Sequence, residues 1–409
     1  MGHNARTLAI RDAEDIAEEM RRVGAEAEGI ARMLPKAQHY LVKLEGIRTA
    51  VAHILKESLL SAGGDAVVSR DVITGKTERT DALLIGSAKH FASLIAALRA
   101  QKFGAPDLAA EIETALSHFD SSPSSLPADV KASPRLRSMF ETMTRRTLVM
   151  GILNVTPDSF SDGGLFLDRD AAAATAVGMI KEGADIIDVG GESSRPGAEP
   201  VAAEEELGRV LPVIERLRES TDVVISVDTC KSSVARAALA AGADIVNDIS
   251  GMSFDPEMRA VVAEARAAAI LMHMKGTPRD MQENPLYSDL LSEVTSELLR
   301  RVEDAVAAGV DERLILIDPG FGFGKTVEHN LVLLRRLREF KSLGRPIVIG
   351  TSRKSTIGKV LGGLPAEERL EGTAATVAIS IMNGANVVRV HDVKEMARAA
   401  RVTDAVLGS

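Results

Sequence analysis

Residues 183–192 read Gly-Ala-Asp-Ile-Ile-Asp-Val-Gly-Gly-Glu: a glycine, a small residue and a polar one lead into a short apolar run that ends in polar residues. The same lead-in returns as Gly242-Ala243-Asp244 and as Gly384-Ala385-Asn386. A glycine that closes a helix and hands the chain to a strand is sound chemistry for an αβ loop. From Thr147 onward eight such apolar runs follow one another, at Leu148–Val155, Ile186–Val189, Val223–Val227, Ile245–Val246, Ala269–Met272, Leu314–Ile317, Ile347–Ile349 and Val387–Val390. Helical stretches of about 12–20 residues separate them. Eight β-then-α units predict an α/β protein with a (β/α)8 TIM barrel, because an open doubly wound sheet usually stops at about five to seven strands. The runs are rich in Val and Ile and nearly free of charge, as a parallel sheet covered by helices requires.

Upstream of the barrel the composition changes. Residues 117–134, SHFDSSPSSLPADVKASP, crowd Ser and Pro together, so 117–146 is expected to be a linker. Residues 1–34 form a heavily charged segment, helical over 8–33, with Pro35 ending the helix. Residues 35–116 suggest a small α/β domain, with strands at Tyr40–Leu44, Ala66–Ser69 and Ala82–Ile85 and helices near 47–61 and 87–100. This N-terminal part shows no catalytic constellation, and its role is not legible. His53 and His90 lie in helical stretches and read as packing or surface residues. The barrel domain is expected over 147–409.

Composition narrows the function. The 409 residues are 45% hydrophobic and 26% charged, which excludes a disordered tail, a collagen-like rod or a coiled-coil filament. A single cysteine, Cys230, excludes a disulfide framework and a Cys-rich metal site. The net charge of −9 provides no global field for nucleic acid or anionic membrane, and aromatics at 3% with no Trp leave no base-stacking platform. No stretch approaches the ~20 apolar residues of a membrane span. A cytoplasmic enzyme of small molecules is the expectation.

In a TIM barrel the active site lies at the C-terminal ends of the strands. Those ends carry Asn154, Glu192-Ser193-Ser194-Arg195, Asp228, Asn247-Asp248, His273, Asp318, Ser352-Arg353-Lys354, and Arg389 with His391. One polar strand end is unremarkable; eight together point to a site. Arg353, Lys354, Arg389 and His391 belong to the last two strands, where barrels commonly hold a phosphate, and a local cationic set on an acidic chain implies an anionic ligand group. Asp228, Asn247 and Asp318 offer acceptors and an amide suited to a flat heterocycle with ring N–H and amino groups. A ligand that joins a polar ring to a phosphate is thus expected. Other motifs fail. Gly320–Thr326 lacks a Walker A glycine where Pro319 stands, and no Gly-x-Gly-x-x-Gly follows the first strand. His273, His329 and His391 are too dispersed for a zinc motif. Cys230 sits at a helix start, where a thiol pKa can fall, yet no base is paired with it.

Eight blocks at these strand ends resemble the dihydropteroate synthase family of pterin-binding TIM barrels. They are MGILNVTPDSFSDGG at 150–164, GGESSRPGA at 190–198, SVDT at 226–229, NDISG at 247–251, LMHMKGTP at 271–278, DPGFGFGK at 318–325, GTSRKS at 350–355 and VRVHDV at 388–393. The resemblance covers about residues 147–409. It implies condensation of 6-hydroxymethyl-7,8-dihydropterin diphosphate with 4-aminobenzoate to 7,8-dihydropteroate and diphosphate. It also implies Mg2+ as cofactor, with Asn154 on the metal and the diphosphate. Asp228, Asn247, Asp318 and Lys354 would take the pterin ring, and Arg389 and His391 the diphosphate. Ser194 stands where the family usually has Thr, which keeps the hydroxyl and loses a methyl. Phe160, Pro196, Phe323, Arg353 and Ser355 would line the aminobenzoate pocket, where sulfonamides compete. A homodimer through the barrel domain is implied, without nucleic-acid or membrane partners. Segments 155–168 and 193–202, rich in Gly, Pro and Ser, are expected to be loops that exclude water. Two alternatives stand beside this reading: a pterin-dependent methyltransferase, and a pterin-binding protein without catalysis.

Overall fold

Two units divide the chain, Met1–Asp120 and Ser121–Ser409, in a computed structural model that describes residues 3–10, 12–102, 104–155, 165–193 and 199–408. In the first unit, helices Ala13–Arg22 and Ala27–Ala37 precede a sheet of strands β1 (His39–Arg48), β2 (Asp65–Val68) and β3 (Arg79–Ser87). The order is β1-β3-β2, antiparallel throughout. Thr80, Ala82 and Leu84 of β3 turn inward while Leu83 and Ile85 are exposed, so one face of the sheet is covered. Helices Thr49–Ala62, Ala88–Arg99 and Ala105–Asp120 supply that cover through Leu55, Leu59, Phe91, Leu94, Leu98 and Ile112.

Two expectations need correction here. Pro35 lies inside its helix, which runs on to Ala37; the real break falls at 23–26, between the two helices. The expected linker 117–146 is structured at both ends. Residues up to Asp120 continue a helix, and Pro134–Met143 forms another. There Ser133 is the N-cap, its hydroxyl accepting the Leu136 N–H at 3.2 Å, and Pro134 occupies the first turn, where its missing N–H costs nothing. Ser-Pro, read as a breaker, is here the start signal of a helix. Leu136, Met139, Phe140 and Met143 share one face of this helix. They pack with Leu148, Met150, Ile186, Val224, Ile245 and Leu316 to close the floor of the barrel.

The eight barrel strands are β4 (Leu148–Asn154), β5 (Ile186–Gly190), β6 (Val224–Asp228), β7 (Ile245–Asp248), β8 (Ala268–Met272), β9 (Ile315–Asp318), β10 (Val348–Ile349) and β11 (Val387–Val390). They pair in parallel in the order β10-β11-β4-β5-β6-β7-β8-β9, and the one bridge Ile317↔Ile347 joins β9 to β10. Alternate residues face opposite ways. Val149, Ile187, Val189, Ile225, Val227, Val246 and Leu271 meet the outer helices, while the floor layer above fills the interior. The repeated tripeptides act as clamps at the bottom of the barrel. Asp185 Oδ2 accepts the Val149 N–H at 2.9 Å, Asp244 Oδ2 that of Ile225 at 3.2 Å, and Asn386 Oδ1 that of Ile347 at 2.8 Å. In return their own N–H groups donate to Val149, Ile225 and Ile347 carbonyls. Each clamp therefore fixes one strand against a neighbour.

Candidate active site

Above the apolar floor the barrel interior turns polar. Asp188, on β5, is fully buried one layer below the rim: it pairs in register with Ile152 and Ser226, whereas Asn154, Gly190 and Asp228 form the next layer up. Arg389 reaches across from β11. Its Nε donates to Asp188 Oδ2 at 2.6 Å and one terminal nitrogen donates to Asp228 Oδ2 at 2.7 Å. Asn247 Nδ2 donates to the same Asp188 oxygen at 3.1 Å. Four strands are thus tied at one point by a single guanidinium and an amide.

The electrostatics follow from burial. Asp228 is pushed up to about 7 by loss of water, which outweighs the opposing pull of Arg389. Asp318, at the end of β9, is raised to about 6 for the same reason, held back first by the Gly320 N–H that its Oδ1 accepts at 2.7 Å and then by Lys354, Lys325 and Arg389. Both carboxyls therefore sit at the edge of ionisation, where a ligand that donates N–H groups tips them to the charged form. Gly320 is obligatory to this turn: its φ is +71°, and a Cβ there would lie 1.8 Å from the His273 carbonyl oxygen.

Beneath that turn lies a network that sequence reading does not assign. Lys325, 2% exposed, sets its Nζ against His273 Nδ1 (3.0 Å), the Gly320 carbonyl (3.0 Å) and the Phe323 carbonyl (3.1 Å), and burial pulls it down to about 7. Burial pulls His273 down to about 4, so it is neutral; its Nε2 faces Glu297 at 3.2 Å, and Arg301 pairs with the other Glu297 oxygen. The lysine with Gly-Phe-Gly-Phe-Gly before it is a brace for the loop after Asp318. The signal was present in the failed Walker motif, but its partner lies 52 positions away.

The last two strands supply Ser352, Arg353, Lys354 and His391. His391 donates its backbone N–H to Ser352 Oγ at 3.1 Å, and the hydroxyl faces its Nδ1 at 3.0 Å. Burial and then Arg389 push its imidazole down to about 4, so it is neutral at pH 7. Lys354 lies over the Phe323 ring, 3.9 Å from its centroid. Arg353, at φ +57°, turns away to pair with Asp392, its Nε donating at 3.0 Å. Its fork is committed there rather than open to the mouth of the barrel. Ser355 is exposed at the start of helix Ser355–Val360, Phe323 is buried with Met272, Met274 and Met281, and Asn154 is half-buried at the end of β4. Glu192 is paired with Lys231, which also binds Glu206. Burial and the Asp248 carboxylate push the Cys230 thiol well up, so the helix start does not activate it. Phe160, Ser194, Arg195 and Pro196 lie outside the described residues.

Among the described residues no three His, Cys, Asp or Glu side chains come together as a metal cage. Asn154 offers an amide oxygen at the rim, beside Gly190. That donor set suits Mg2+, which keeps its waters and is held chiefly by substrate phosphates.

Comparison with known proteins places this geometry. The profile of the pterin binding enzymes matches residues 150–391. The dihydropteroate synthase of Bacillus subtilis is 53% identical over 262 residues, 64% of this chain and 89% of that protein. A probable bifunctional folylpolyglutamate synthase/dihydropteroate synthase of Halobacterium salinarum is 41% identical over 403 residues; the match takes in 98% of this chain and 47% of that longer protein. Among solved structures, Xanthomonas albilineans dihydropteroate synthase with 4-aminobenzoic acid is 46% identical with a TM-score of 0.61, covering 64% of this chain and 94% of that one. An eight-stranded barrel with acids, an amide and an arginine converging at its mouth, and relatives that match along its whole length, show that the chain belongs to the pterin binding enzymes and, within them, to the dihydropteroate synthase family.

Proposed function

We propose that this chain condenses 6-hydroxymethyl-7,8-dihydropterin diphosphate with 4-aminobenzoate, releasing diphosphate and giving 7,8-dihydropteroate. The observation that carries the reading is the arginine at the barrel axis: Arg389 stands among Asp188, Asp228 and Asp318, so one pocket offers acceptors for ring N–H groups beside a cation for an anion. Asp318, Asp228 and Asn247 take the donor edge of the pterin, and Lys354 bonds its acceptor edge. Arg389 and the neutral His391 donate to the diphosphate oxygens, and Ser194 adds a hydroxyl from the second strand end. Asn154, together with the diphosphate, would hold Mg2+, which when bound would supply charge neutralisation on the leaving group.

The C–O bond to diphosphate breaks with both electrons leaving on oxygen. The exocyclic carbon becomes cationic, and the ring shares that charge beside the carboxylates of Asp228 and Asp318. The unprotonated aniline nitrogen then attacks and loses its proton to solvent. No side-chain nucleophile is required. Phe323 and Ser355 line the aminobenzoate side, which the family resemblance assigns to Phe160 and Pro196 as well. Because the Arg353 guanidinium is held by Asp392, the aminobenzoate carboxylate falls to Ser355, and Arg353 serves by fixing the loop.

A homodimer through the barrel domain belongs to the same reading. Its support is an apolar stripe on the last two helices, Leu370–Met382 and Val393–Leu407, where Ile379, Met382, Val402 and Val406 are exposed.

The test is diphosphate release from the pterin substrate with and without aminobenzoate. Release together with a dihydropteroate product is expected. A protein that only binds pterin releases none, and a methyltransferase leaves the diphosphate intact; either result overturns the reading.

A further inference from the structure

We propose that Asp188 is a positioning residue: it holds Arg389 by Nε as a pivot, while the far end of the guanidinium moves between Asp228 in the empty site and the substrate in the loaded one. The inference rests on the reading that Asp228 binds the ring and Arg389 the diphosphate.

Depth separates Asp188 from the substrate. It lies two residues below Gly190 on β5, about 6.6 Å at the rise of a parallel strand, whereas Asp228 and Asn154 stand at the level of Gly190. A lone carboxylate at that depth is costly unless paired. Its partner is Arg389 Nε, at 2.6 Å, with Asn247 Nδ2 on the same oxygen at 3.1 Å. Its other oxygen, Oδ1, is buried with no hydrogen-bond partner, so Asp188 is not a fully satisfied structural group; its hydrogen bonds all run through the one oxygen that aims Arg389 and Asn247.

The two bonds of Arg389 differ in what competes for them. The bond to Asp228 occupies an acceptor that the pterin ring needs, so ring binding displaces it. The bond to Asp188 meets no ligand and persists. Dividing the guanidinium between two carboxylates weakens its hold on Asp228 and keeps the displaced end within reach of the diphosphate. Neutralising Asp188 leaves Asp228 as the one charged carboxylate hydrogen-bonded to the guanidinium. The empty site is then locked, and pterin binds more weakly although the altered side chain never touches it.

Calorimetry with a phosphate-free pterin, and separately with diphosphate plus Mg2+, tests this on wild type, Asp188→Asn, Arg389→Ala and the double variant. Asp188→Asn is expected to weaken pterin binding about five- to twentyfold and diphosphate binding as well. In the Arg389→Ala background the same substitution should lose most of its effect on pterin affinity, because that effect travels through the guanidinium. This cycle also removes the complication that an amide at 188 places a donor against Asn247. A full-sized effect that persists without Arg389, or wild-type binding of both ligands by Asp188→Asn, overturns the pivot while leaving the proposed reaction standing. Wild-type protein that binds no pterin overturns the reaction itself. Asp188→Ser serves if the amide variant does not fold. A reading without any change at 188 is the Nε–H resonance of Arg389, identified by its loss in Arg389→Lys. It should stay protected from exchange when pterin binds, and its loss on binding refutes the pivot.

Discussion

Replacing Gly320 by alanine should damage pterin binding from a residue that carries no functional group. The glycine sits at φ +71°, and a Cβ there meets the His273 carbonyl oxygen at 1.8 Å, so the loop after β9 has to move. Left-handed backbone costs a non-glycine residue roughly 1–2 kcal/mol. Moving the loop also breaks the 2.7 Å bond from the Gly320 N–H to Asp318, a charged hydrogen bond worth about 1.5–3 kcal/mol. The sum is about 2.5–5 kcal/mol, or a fall in Tm of roughly 5–20 °C at about 2–4 °C per kcal/mol. Gly208→Ala is the control: it lies in helix Ala203–Ser220 with nothing within 4 Å of the added carbon, and should stabilise by about 0.5–1 kcal/mol. A second readout is specific to the mechanism. The Gly320 N–H is the largest influence holding the Asp318 carboxyl down, so its loss should move the pH midpoint of pterin binding upward. Thermal unfolding and calorimetry across pH measure both effects. A Gly320→Ala variant with wild-type Tm and an unshifted midpoint would refute the argument.

Three further expectations concern the same barrel. Pterin affinity should fall as pH drops through 7 and 6, where Asp228 and Asp318 take up protons, while the contribution of these two groups to fold stability runs the other way. A carboxyl raised above its unfolded value adds stability at low pH that is lost as pH rises through 6–7, so calorimetry and denaturant titration should give opposite slopes, and parallel slopes sink the assignment. Asp318→Asn should weaken a phosphate-free pterin about ten- to a hundredfold and spare diphosphate with Mg2+, with Arg389→Ala the reverse; equal losses for one ligand would contradict two subsites. A chain begun at Ser121 should fold and turn over substrate, whereas one begun at Thr147 lacks Val130 and the Pro134–Met143 helix that close the barrel floor and should expose apolar surface to a hydrophobic dye; a well-folded 147–409 fragment would show that the floor is dispensable.

The eight strands were legible because each apolar run ends at a polar residue, and those ends are where Asp228, Asn247, Asp318, Lys354, Arg389 and His391 stand. Asp188 was not. It occupies the middle of an apolar run, and in a strand buried on both faces the inward positions cannot be told from the outward ones without the register of neighbouring strands. The commitment of Arg353 to Asp392 and the Lys325–His273 brace were hidden for a related reason: both join residues that the chain keeps 39 and 52 positions apart. The floor helix was missed through local ambiguity, since Ser followed by Pro marks a turn and a helix start alike.

The clamps at the bottom of the barrel bear on the order in which its joints form and open. Each links strands joined by a short stretch of chain: 36 residues between Val149 and Asp185, 19 between Ile225 and Asp244, and 39 between Ile347 and Asn386. Loops of that length close at modest entropic cost, so three of the eight joints can set their register before the ring exists. The joint between β9 and β10 has no such clamp and holds by one bridge, Ile317↔Ile347. It is the seam of the barrel, and its two strands lead to Asp318 on one side and Lys354 on the other. The cylinder is thus stapled at its floor and joined by the fewest strand pairs at this seam, between the strand ends that carry Asp318 and Lys354.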